Sequence, residues 1–124
     1  NWIQGGRDIL NIIREAGATF LARHLSMDGE FGVASMKKAL QNRGFSLVHV
    51  IFPCIINYAS TALGSRNTVD TFRWMQSRAR HIDEPADGDI IWRTGIYHNA
   101  SDTRPDYASM VKNKVLDITR ERAV

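Results

Sequence analysis

The sequence predicts an α/β chain built around a parallel sheet. Segments with helical spacing alternate with short apolar runs. Both main apolar runs follow a helical segment directly, and neither alternates apolar with polar residues. Strands covered by helices on both faces read this way, whereas half-exposed antiparallel strands alternate.

Asp8 to Ala16 opens the series, with Ile9, Ile12, Ile13 and Ala16 at helical spacing and Gly17 as a left-handed stop. Ala18 to Ala22 is the first buried strand, and Arg23 to Gly32 reads as a loop. Val33, Met36, Ala39 and Leu40 mark the core side of a second helix. Lys37 and Lys38 lie near its C-terminal end, where cations suit the helix dipole, and Gly44 ends the segment. Ser46 to Phe52 predicts a central strand, closed by Pro53, which has no N–H for a ladder. Ile55 to Arg66 shows no period and is expected to be a loop. Asn67 or Thr68 caps a third helix with Val69, Phe72, Met75 and Ala79 on one face. His81 to Asp89 is an acidic turn region, and Ile90 to Tyr97 a strand with Trp92, Thr94 and Ile96 on one side. Pro105 opens a last helix, with Tyr107, Val111, Val115 and Ile118 facing the core.

At 124 residues, 44% hydrophobic and 23% charged, the chain has the size and composition of one globular domain. It opens on Asn1, which fits a processed protein or a segment of a longer gene product. No secretory pattern opens it, and no apolar run approaches the roughly 20 residues needed to span a bilayer, so no membrane role is expected. The net charge is +3 and the pI about 9.4, but acidic residues are interspersed with the basic ones and no basic stripe carries aromatics. That argues for a solvated surface and against nucleic acid as a partner. A single cysteine, Cys54, cannot form an internal disulfide, which fits a reducing, cytoplasmic setting.

Cys54 is the candidate site residue. It follows a parallel strand and Pro53, and open α/β sheets bind ligands beyond the carboxyl ends of their strands. A thiolate there suits an iron–sulfur cluster, whose irons take four cysteines, so three would come from elsewhere. The competing reading is a small buried hydrophobe. Of the histidines, His49 points to the opposite face from Cys54 if the strand is regular, while His24 and His98 lie where they could approach it; no spacing brings them together. No two histidines have metal-ligand spacing on a helix, so exposure is the expectation for them. Phe20, Phe72 and Trp74 are expected to pack. Neither Gly5-Gly6 nor Gly29 to Gly32 has the pattern of a phosphate loop.

Five segments in series resemble the β subunits of 2-oxoacid:ferredoxin oxidoreductases. They are Ala16-Gly17-Ala18-Thr19-Phe20-Leu21-Ala22-Arg23, Met36 through Gly44-Phe45-Ser46, Phe52-Pro53-Cys54, Asn67 to Arg78, and the pair Thr94-Gly95-Ile96-Tyr97 and Arg104-Pro105-Asp106-Tyr107. The 2-oxoglutarate-type branch is the most similar. The resemblance implies a coenzyme A-dependent oxidative decarboxylation of a 2-oxoacid to acyl-CoA and carbon dioxide, with electrons passed to ferredoxin. It implies thiamine diphosphate, Mg2+ and a [4Fe–4S] cluster as cofactors, and an α subunit as partner. Where the family's β subunit holds the cluster, the cysteine at the position of Cys54 is one ligand. On this resemblance residues 1–60 are the C-terminal half of the thiamine-diphosphate-binding domain and residues 61–124 a C-terminal extension. The family's Gly-Asp-Gly-Asp motif and upstream Cys-x-x-Cys are missing, so the chain is expected to be the C-terminal portion of a longer subunit and inactive alone. Ile55-Ile56 also stand where many members are more polar. A non-catalytic interaction or nucleic-acid-binding module is the alternative, motivated by the basic pI.

Overall fold

A computed structural model describes residues 8–54, 56–64, 67–85, 87–103 and 105–122. Asn1, Gly5-Gly6, Ile55, Arg66 and Arg104 lie outside them. The elements in order are α1 (Ile9–Glu15), β1 (Phe20–Leu25), α2 (Gly29–Gln41), β2 (Ser46–Ile51), α3 (Tyr58–Ala62), α4 (Thr68–Ser77), β3 (Ala79–His81), β4 (Trp92–Asn99), a 3-10 turn (Ser101–Thr103) and α5 (Tyr107–Arg122). The strands form one mixed sheet in the order β2-β1-β4-β3, giving an α/β fold.

The two strands expected to be parallel, β1 and β2, are so, and β4 makes the sheet mixed. β4 runs antiparallel to β1, with Phe20 opposite Asn99 and Arg23 opposite Gly95, and an irregularity between Leu21 and Ala22. β2 runs parallel to β1, from Phe20 beside Ser46 to Leu25 beside Ile51, and β3 runs parallel to β4. β1 and β4 are therefore the interior strands, and β2, expected to be central, is an edge strand of the described sheet.

Asp8 starts α1 by accepting the Leu10 N–H at 3.1 Å, and Gly17 ends it at φ 93°. Helical spacing placed Ile9, Ile12, Ile13 and Ala16 on one face. The buried residue is Leu10, joined by the partly buried Ile13 against Ala18, Leu21, Leu47 and Tyr97, while Ile9, Ile12 and Ala16 are exposed. On the opposite face of the sheet α2 covers β1 through Gly32 and Ser35.

The predicted loop from Arg23 to Gly32 shrinks to Ser26–Asp28. Arg23, His24 and Leu25 continue β1, and Gly29 already belongs to α2. Polar residues hid this strand, because each finds a partner inside (below). α3 occupies part of the predicted loop 55–66, the three-residue β3 takes up Ala79 and reaches into the predicted acidic turn, and α5 begins at Tyr107, two residues after Pro105.

At the α2–β2 turn the backbone takes φ +142° at Gly44, and a Cβ there would stand 2.4 Å from Thr19 Oγ1. Thr19 needs that space. Its hydroxyl accepts from Asn42 Nδ2 at 2.8 Å, and the same amide donates to Ser46 Oγ at 2.7 Å. The start of β1 is thereby tied to the start of β2.

The predicted core sides of two helices are corrected. Val33, Met36 and Leu40 on α2 are exposed, as are Tyr107, Val111, Val115 and Ile118 on α5, where no described residue is buried. Periodicity reports that a face is apolar, not what covers it. Among the described residues no helix is long and apolar enough to cross a membrane.

Candidate functional site

The carboxyl ends of β1 and β2 are held level by a bond from Ser26 N–H to the Ile51 carbonyl at 2.9 Å. Just beyond, Pro53 is buried and Cys54 is exposed. The Cys54 carbonyl accepts the Ala59 N–H at 3.0 Å, so the cysteine's backbone is tied to the first turns of α3. Beside the thiol lies a cleft of about 250 Å3, walled by Phe52, Pro53, Thr71, Trp74, Met75 and Trp92. Trp74 and Trp92 meet edge to face at 5.7 Å, so Trp74 packs as predicted, as does the fully buried Phe20.

One thiolate fits one corner of a four-cysteine cluster and does not make a cluster site. Among the described residues no three His, Cys, Asp or Glu side chains converge where a metal ion could sit. These residues therefore do not by themselves fit a whole cluster or a magnesium–diphosphate site.

The histidines are engaged elsewhere. His49 lies on the face opposite α2, where Arg23 is the hub of a polar cluster. Its Nη2 donates to Asp8 Oδ1 at 2.6 Å, its Nε to His49 Nδ1 at 3.2 Å and its Nη1 to Tyr97 Oη at 3.3 Å. The guanidinium also stands 5.3 Å from the Tyr97 ring centre. Because His49 accepts at Nδ1, it is neutral with its proton on Nε2. Burial, and then the Arg23 charge, hold its pKa below the ordinary value against the opposing pull of Asp8. Burial raises the pKa of Tyr97.

His24, expected in a loop and exposed, is a buried β1 residue. Its Nε2 meets Ser35 Oγ at 2.8 Å, and its Nδ1 faces Asp28 Oδ2 at 3.4 Å. His81 is exposed, with Nδ1 3.3 Å from Asp83 Oδ2, and His98 is half-buried on β4. Sequence reading missed both the Arg23 and the His24 clusters. The available signal was two adjacent polar residues extending an apolar run, which in a strand point to opposite faces.

No family model and no solved structure matches the chain. Among curated proteins it is similar to subunit KorB of the 2-oxoglutarate synthase of Methanocaldococcus jannaschii, with 27% identity over 85 residues. The similarity covers 68% of this chain and 31% of that subunit, so the chain spans about a third of its relative's length.

Proposed function

We propose that this chain is part of the β subunit of a 2-oxoacid:ferredoxin oxidoreductase that acts on 2-oxoglutarate. The observation that carries the reading is the 85-residue similarity to a 2-oxoglutarate synthase subunit. The proposed reaction converts a 2-oxoacid and coenzyme A to acyl-CoA and carbon dioxide and passes two electrons to ferredoxin. Residues 1–60 are assigned to the thiamine-diphosphate-binding domain and residues 61–124 to an extension of it.

Within this reading Cys54 supplies one thiolate to a [4Fe–4S] cluster whose other cysteines lie outside this chain. Its support is position: an exposed thiol beyond the carboxyl end of a strand, where sheets of this class bind ligands. Pro53 and the bond from the Ala59 N–H to the Cys54 carbonyl fix the backbone that carries the thiol. The cluster, when bound, would relay electrons, and thiamine diphosphate with Mg2+ would supply the decarboxylation chemistry from residues outside this chain. The exposed apolar faces of α2 and α5 pack, in this proposal, against the rest of the β subunit and an α subunit. An exposed thiol and a cluster both suit a reducing cytoplasm.

The test is reconstitution. An oxidoreductase assembled with this chain is expected to reduce ferredoxin only when 2-oxoglutarate and coenzyme A are both present. The same rate from an assembly that omits residues 8–122 would overturn the proposal.

A further inference from the structure

A second cleft, of about 460 Å3, lies between α2 and the β3–β4 side of the sheet, apart from Cys54. That volume suits a small organic ligand. Its floor holds an acid–imidazole–hydroxyl line. Asp28 is fixed by accepting the Leu25 N–H at 2.8 Å, and the same oxygen faces His24 Nδ1 at 3.4 Å. On the far side of the ring His24 Nε2 meets Ser35 Oγ at 2.8 Å. His24 and Ser35 are 5% and 3% exposed, yet both line the cleft. A carboxylate beside Nδ1 favours the ring proton there, and that tautomer would leave Nε2 to accept from the serine hydroxyl, as a general base requires.

Lys38 stands one helical turn after Ser35 and lines the same cleft. A serine and a lysine at this helical spacing serve acyl transfer in unrelated folds. Phe31, Ala34 and Ile96 give the remaining wall an apolar part, and His81, Glu84 and Thr94 a polar one. A bond that only pinned α2 to β1 would need neither a carboxylate behind the imidazole nor an open cleft before the hydroxyl.

We propose that this cleft is a serine acyl-transfer site that hydrolyses short-chain acyl esters. Ser35 Oγ attacks the acyl carbon and its proton passes to His24 Nε2. The bond to the leaving oxygen breaks as Nε2 returns that proton to it. Water then repeats the sequence, releasing the carboxylic acid and restoring Ser35, with no net oxidation or reduction. Asp28 holds the ring and faces the imidazolium charge. Lys38, lining the same cleft, is the cation assigned to the developing oxyanion.

The experiment uses the 124-residue chain with p-nitrophenyl butyrate and, separately, a fluorophosphonate probe. One probe adduct per chain is expected on Ser35, found by peptide mass mapping. Ester hydrolysis is expected to fall by about 100-fold or more in Ser35→Ala, with a smaller loss in Asp28→Asn. No adduct, an adduct on another residue, or a Ser35→Ala protein that hydrolyses the ester at the parent rate would overturn the proposal. Should Ser35→Ala not fold, the adduct site on the parent chain decides alone.

Discussion

β1 and β2 lie side by side and parallel, and the less apolar of the two is the more buried. β1 reads Phe-Leu-Ala-Arg-His-Leu and all six residues are buried; β2 reads Ser-Leu-Val-His-Val-Ile and none is. Place in the sheet decides this. β1 has β2 and β4 on its edges and α1 and α2 on its faces, whereas β2 has a described neighbour on one edge. A buried strand can carry Arg23 and His24 because each polar group meets a partner, which offsets the desolvation that would otherwise exclude it.

Substitutions that separate the two strands sharpen the comparison. Phe20→Ala, at the fully buried start of β1, is expected to cost about 3–5 kcal/mol in urea unfolding. Arg23→Ala is expected to cost about 2–4 kcal/mol, below the full range for a broken buried pair because the Asp8 side chain is about one-third exposed. Gly44→Ala, which forces a Cβ against Thr19 at a positive φ, is expected to lose about 1–3 kcal/mol. On β2, Val50→Thr should change stability by no more than about 0.5 kcal/mol. A Val50 effect as large as that of Phe20 would break the comparison.

The same pairing sets a pH dependence. The folded chain holds the His49 pKa below the ordinary 6.5, so the unfolded chain binds that proton first. This contribution to stability is complete above about pH 6.5 and is lost as pH falls from there through the depressed folded value. His49→Gln keeps an acceptor for Arg23 and removes the titrating site. Its stability between pH 7 and pH 5 should therefore fall less than that of the parent chain, and parallel curves would contradict the role given to His49.

Local signals were legible where local chemistry decides. Of the two caps indicated for α4, Asn67 is the one that serves, through its side-chain oxygen; Gly17 ends α1, and β2 stops at Ile51, two residues before Pro53. What depends on distant partners was not legible. Arg23 and His24 looked like loop residues because Asp8, Tyr97 and Ser35 reach them from 11 to 74 positions away. β3 is three residues long, too short to show a period, and nothing in the hydropathy of β4 encodes its antiparallel direction. The apolar stripes of α2 and α5 were visible, but a stripe does not name its cover. For the candidate site, the place of Cys54 beyond a strand end was readable from Pro53, whereas the Asp28–His24–Ser35 line arises only when α2 folds over β1.

The most direct test of the oxidoreductase reading is iron and acid-labile sulfide per β subunit in the anaerobically assembled enzyme, compared between the parent chain and Cys54→Ser. The variant is expected to lose one cluster's worth of both, together with the matching paramagnetic signal of the reduced enzyme. Unchanged iron, sulfide and signal in a folded, assembled variant would contradict it and leave Cys54 without a part in electron transfer.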